Sequence, residues 1–300
     1  MALMTLIVMA PALLMKKRPV PVSSTADSVA TVAPVPSPAP GLVPATGTPP
    51  SPTDVAAAVP EDTILIHTPL ATYGISTRGA RLVTAELERY ADQALGQKGQ
   101  KVDLTPPGSE LMGLRLVVGA DTLRLDDWTF VTSATEMSSD IPKTIEFTST
   151  RGDVTVTLAY TFRPDDYQIG VEGSISGVGP NGGLLLVGMG PGLANTEANL
   201  IENERSTGFV TKAQSTKFKA FQALDTAAVV SVSGPFEWVA VKSKYFVTAV
   251  LAFETGAAPV SGLSVRPLPQ PGQKKAHQAA IWASMLLPAA GEFRYQLYAG

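Results

Sequence analysis

Hydrophobic and polar positions alternate through much of the chain beyond residue 61. In residues 153–160, Val154, Val156, Leu158 and Tyr160 fall at every second place. That period of two marks a strand with one buried face. The turn sequence Arg163-Pro164-Asp165-Asp166 follows. The next run puts Tyr167, Ile169, Val171, Gly173 and Ile175 on one side, so the two runs predict a hairpin. Residues 144–147 and 293–298 alternate in the same way. The run 245–253 is apolar without alternation, too short and too β-branched for a helix. It predicts a strand buried on both faces at the centre of a large β domain. Phe236 and Trp238 precede it, across a polar step at Lys242-Ser243-Lys244 that reads as a turn. Residues 184–187 read as another buried strand. One helical turn is expected near 194–204, with Asn195 or Thr196 as its cap. Many short strands separated by turn signals fit stacked antiparallel sheets, a mainly β fold.

The first sixty residues follow a different pattern. Residues 2–15 are apolar, and as a helix they would span roughly 21 Å, short of a ~30 Å hydrocarbon core. Pro11 marks a kink or boundary. The run lacks the basic start and small-residue cleavage site of a signal peptide. Residues 1–18 are therefore read as a signal anchor shortened at its start, with Met1 internal to a longer gene. Lys16, Lys17 and Arg18 follow it, on the side that the charge rule would place in the cytoplasm. Residues 19–60 are rich in proline, alanine, serine and threonine and read as a disordered linker.

Composition narrows the chemistry. A 45% hydrophobic content supports a sizeable core, and a net charge of -3 argues against a nucleic-acid partner. The absence of cysteine removes disulfides, thiolate chemistry and cysteine-ligated zinc. With only His67 and His277, no multi-histidine metal site can form within one chain. No cofactor is expected.

Two further segments carry a family likeness. One runs Thr68-Pro69-Leu70 through Tyr73 to Ser76-Thr77-Arg78-Gly79-Ala80-Arg81-Leu82-Val83 and on to Glu86-Leu87-Glu88-Arg89-Tyr90. The other is Trp238 to Phe246, similar to a "W-x-G-x-x-x-K-Y-F" pattern. The closing Phe293-Arg294-Tyr295-Gln296-Leu297-Tyr298-Ala299-Gly300 is similar to a "Y-x-x-Y-x-G-P" strand. In order and spacing these segments resemble the YidC family of bacterial membrane protein insertases, anchor and linker included. Ala240 departs from the pattern, which has glycine there.

The resemblance implies an antiparallel β-supersandwich, mutarotase-like in shape, over residues 61–300. It implies an inner-membrane protein with that domain in the periplasm. Its partners would be membrane protein substrates, components of the Sec translocon and, through the N-terminal segment, the lipid bilayer. The insertase core of five further helices would lie beyond Gly300, so the chain reads as an N-terminal part. Arg78, Gly79, Trp238, Lys244, Tyr245, Phe246 and Tyr298 are taken as structural family signatures, with Trp238, Tyr245 and Phe246 in the core.

A sugar-active alternative needs a histidine and a carboxylate as acid and base. His67 is expected at a strand edge and His277 at a strand start. Asp126-Asp127 and Asp165-Asp166 read as solvated turns, and Glu202 and Glu204 flank Asn203 beside Arg205. No catalytic residue is assigned. Gly188-Met189-Gly190-Pro191-Gly192 lacks the helix and Lys-Ser/Thr of a phosphate loop and reads as the end of a strand. Lys212, Lys217 and Lys219, with Phe209 and Phe218, form a basic stretch read as a solvated strand face, open to anionic lipid or a partner.

Overall fold

The structure is a computed structural model that describes residues 61–138, 140–252, 257–268 and 275–300. The expected anchor and linker, and Phe253, lie outside the described residues. The strands are β1 Thr63–His67, β2 Ala71–Ser76, β3 Leu82–Ala91, β4 Lys101–Asp103, β5 Leu114–Val118, β6 Asp121–Leu123 and β7 Glu136–Ser138. Then come β8 Lys143–Arg151, β9 Val154–Phe162, β10 Gln168–Ser176, β11 Gly183–Gly188 and helix α1 Leu200–Ser206. After it follow β12 Gly208–Lys212, β13 Thr216–Ala220, β14 Val230–Phe236, β15 Trp238–Lys242 and β16 Val247–Leu251. The last are β17 Val260–Leu268, β18 Gln278–Leu287 and β19 Glu292–Ala299.

These strands make three sheets. One has the order β4-β3-β2-β1-β7, a second β13-β12-β15-β16-β19-β10-β9-β8, and a third β14-β17-β18-β11-β5-β6. Neighbours are antiparallel except β1 and β7. The alternation that predicts them also packs them. On β9, Val156, Leu158, Tyr160 and Phe162 are buried, and across the β9–β10 hairpin Tyr160 faces Val171 and Phe162 faces Ile169. One apolar cluster draws on all three sheets, with Ile66 and Tyr73 from the first, Leu158 and Leu297 from the second, and Leu185 and Ile281 from the third. The fold is an antiparallel β-supersandwich.

Three local expectations are corrected. The run 245–253 is not one strand. β16 begins at Val247, and Tyr245 is 65% exposed at the tip of a loop, whereas Phe246 is buried. Lys242 ends β15, so the chain reverses over residues 243–246, where the Ser243 N–H donates to the Phe246 carbonyl at 2.9 Å. The helix starts later than expected. Asn199 caps it by accepting from the Glu202 N–H, while Asn195 instead accepts from the Asn203 side chain at 2.7 Å. Asp126 is not solvated. It is 4% exposed and held by Arg115, whose Nη2 lies 2.7 Å away and whose guanidinium stacks 3.9 Å from the Trp282 ring centre.

Candidate functional site

The eight-stranded sheet has an inner face in the main core and an outer face. Pairing places Phe218, Val210, Ala240, Ala249 and Tyr298 side by side in one row across β13, β12, β15, β16 and β19. Val210, Ala240 and Ala249 are buried in a second, small cluster separate from the main core. Trp238 and Leu251 flank that row on one side and Val247 on the other, and together with Tyr298 they pack against it. Small residues between bulky ones make a shallow apolar trough whose floor is covered by the side chains of Trp238, Val247, Leu251 and Tyr298. Trp238 therefore belongs to this half-buried outer cluster rather than to the main core. Its inward neighbours Val239 and Val241 are the core residues of β15.

The trough ends in a pocket of about 500 Å³, which shares Val247 and Tyr298 with it and adds Tyr90, Tyr245, Phe246 and Gly300. The Tyr90 ring meets Phe246 edge-on at 5.5 Å, and Tyr167 meets Tyr298 at 6.3 Å. Burial raises the Tyr298 and Tyr167 hydroxyls above the ordinary tyrosine range, and Tyr90 adds to it. The 243–246 loop is clamped to α1. Buried Asn203 accepts from the Lys244 N–H at 3.1 Å, and Lys244 Nζ sits 2.9 Å from Glu202. Hydrogen bonding to Glu202, and secondarily to Tyr245, holds the Lys244 ammonium above its ordinary range. Lys242 Nζ donates to the Ser206 carbonyl at 3.0 Å and lies 5.2 Å from the Phe218 ring centre, and burial lowers its pKa. Mixed lysines, tyrosines and small apolar residues can hold an apolar polypeptide segment.

Arg78 and Gly79 lie elsewhere, in the turn after β2. Gly79 has φ +75°, and a Cβ there would sit 2.5 Å from the Asp126 carbonyl oxygen, so glycine is required. Its N–H donates to Trp128 O at 2.7 Å, Arg78 reaches Asp127 at 3.4 Å, and the buried Tyr160 hydroxyl donates to Ala80 O at 2.8 Å. This segment fastens the five-stranded sheet to the segment around Asp126 and to β9.

The model of the YidC periplasmic domain family matches residues 63–300. The chain belongs to the YidC periplasmic domain family. No curated protein matches it. Among solved structures, a galactose mutarotase-like protein from Lactobacillus casei shares 14% identity at a TM-score of 0.49, over 79% of this chain and 99% of its own. A galactose mutarotase related enzyme from Lactobacillus acidophilus shares 11% at 0.46, over 79% of this chain and 97% of its own. Neither likeness carries an argument about function.

Within the YidC domain the two histidines stand apart from the trough and its pocket. His67, at the end of β1, has Nδ1 3.1 Å from Thr72 Oγ1 and Nε2 3.5 Å from exposed Glu136. His277, just before β18, has Nδ1 3.0 Å from Glu204, out of line for a hydrogen bond. Glu204 also accepts from Gln222 at 3.3 Å. Neither histidine lines the trough's pocket or a groove of about 640 Å³ that crosses β9, β10 and β19. Among the described residues no group of three metal-ligating side chains forms, and no helix is long and apolar enough to cross a membrane. Sequence reasoning missed the outer cluster and the Arg115–Asp126 pair. Neither leaves a local signal, because both arise from residues brought together by strand pairing or by a turn.

Proposed function

We propose that the chain is the periplasmic region of a YidC-type membrane protein insertase. In that role it assists insertion and folding of integral membrane proteins, alone or with the Sec translocon, and performs no catalysis of its own. The family match over residues 63–300 carries this reading. The apolar trough supports it, because it offers surface for transient contact with unassembled apolar segments without burying them irreversibly. The domain stands in the periplasm beside the inner membrane, and the N-terminal segment supplies the link to the bilayer.

The test is complementation. Cells depleted of their own YidC receive the complete gene that encodes this domain, and insertion of a newly made membrane protein is read by protease protection. Restored protection is expected. Absence of rescue with the product present in the membrane removes the reading. A sugar-active role would instead accelerate interconversion of galactose anomers. No acceleration is expected, and a rate lost in Glu204→Gln would replace the insertase reading.

A further inference from the structure

β13 is the last strand of the eight-stranded sheet, paired on one side to β12. The ladder is bracketed by Ala213 N–H to Ser215 O and Phe221 N–H to Thr207 O. In an antiparallel pair hydrogen-bonded and non-bonded pairs alternate. Thr211/Lys217 and Phe209/Lys219 are therefore the bonded pairs. The N–H and C=O groups of Thr216 and Phe218 point away from β12, and they have no hydrogen-bond partner among the described residues. Every β13 side chain from Thr216 to Lys219 is exposed, including Phe218 at 49%.

Lys217 and Lys219 project from one face of this edge, and no described carboxylate lies within 4.0 Å of either. Lys217 lines a groove of about 410 Å³ whose other wall is β14, through Val232, Ser233, Pro235 and Phe236. β14 is itself the end strand of its sheet. The groove thus runs between two sheet edges. Pro235 removes a donor from β14, a device that blunts an edge, whereas β13 contains no proline. The paired lysines also repel a second copy of the same edge.

We propose that β13 is a docking edge for an extended acidic segment of another polypeptide, which adds as a further strand of the eight-stranded sheet. Residues directly opposite across a strand pair share a face. The segment therefore carries carboxylates facing Lys217 and Lys219 and an apolar side chain between them beside Phe218. Main-chain bonds supply affinity and the lysines supply selectivity. The inference stands apart from the insertase reading, since it concerns a binding reaction of the purified chain and not insertion in cells.

Fluorescence anisotropy of two labelled peptides tests it, one alternating glutamate and valine, the other lysine and valine. The acidic peptide is expected to bind, and the basic one not. K217E/K219E is expected to weaken the acidic peptide at least tenfold and to reverse the preference. F218P removes an outward donor without touching the β12 ladder and is expected to weaken binding with no reversal. N-methylation of alternate amides in the acidic peptide gives the same test with the protein unaltered, should F218P not fold. Lack of binding at millimolar peptide, equal binding of both peptides, or full affinity for the N-methylated peptide overturns the proposal. So does binding of vesicles containing anionic phospholipid in place of the peptide, lost in K217E/K219E and kept in F218P, which assigns the lysines to lipid.

Discussion

The outer face of the eight-stranded sheet has two unlike halves. On β8, β9 and β10 the outward positions are Thr144, Glu146, Thr157, Ala159, Thr161 and Glu172, polar residues or an alanine among them. On β12, β15, β16 and β19 they include the apolar patch of Val210, Trp238, Ala240, Val247, Ala249, Leu251 and Tyr298, bordered by Lys212, Lys242, Arg294 and Gln296. Both halves share one inner core, with Leu158 and Val171 behind the first and Val239 and Val250 behind the second. Folding requires the inner alternation. It does not require apolar residues on the outside, so those of the second half fit the contact role proposed for it.

The same substitution on each half measures that difference. Ala240→Asp places a charge in the buried outer cluster, where Lys242 on the same face is already bonded to Ser206 O, and is expected to cost about 3 kcal/mol. Ala159→Asp on the polar half stands between Glu146 and Glu172 and is expected to lose only about 1 kcal/mol, from like-charge repulsion near the surface. Urea midpoints of the two variants decide it, and equal losses would erase the distinction. A smaller loss, about 2 kcal/mol, is expected for Trp238→Ala, whose ring is half-buried at the trough wall. Thr157→Ala, its counterpart on the polar half, should leave the midpoint in place.

Asn203→Ala probes the end of the trough. It removes the acceptor of the Lys244 N–H and the donor to Asn195, at a cost of about 1 kcal/mol. The effect is local. Amide exchange of Lys244 and Phe246 should quicken while the amides of β9 stay protected. Uniform quickening would mean that the loop is integral to the core and not a clamp laid over it.

Alternation made the sheets legible in the sequence. β9 and β10 were readable residue by residue because a period of two is set by the backbone alone. The segment around Trp238 was misread for a physical reason. An apolar run says that side chains are shielded, but not by which face. Val239 and Val241 point into the main core, whereas Trp238 and Ala240 shield one another outside. Val210, Ala240 and Ala249 become neighbours only through the pairing of three strands. Asp126 does sit in a turn, and its burial is hidden in the sequence because its partner Arg115 comes from β5 and the Gly79 turn closes over its backbone.

Tyrosines on the inner face give the finest contrast, and their titration enters only above pH about 10. Burial raises the Tyr160 and Tyr295 hydroxyls above their ordinary range, for Tyr160 with Tyr295 as a secondary cause. The folded state therefore holds these protons more tightly than the unfolded state. Their contribution is intact below the unfolded value and is lost as pH rises toward the folded values, so stability should fall above pH about 10. The two differ in one respect. Tyr160 donates to Ala80 O, whereas the Tyr295 hydroxyl has no hydrogen-bond partner among the described residues. Tyr295→Phe should accordingly leave the midpoint at pH 8 unchanged or raised and flatten the alkaline decline. Tyr160→Phe should flatten the decline too, yet cost about 1 kcal/mol at pH 8 for the stranded Ala80 carbonyl. Urea midpoints across pH 8 to 11 separate them. An equal loss at pH 8 would show that the Tyr295 hydroxyl is held as firmly as that of Tyr160.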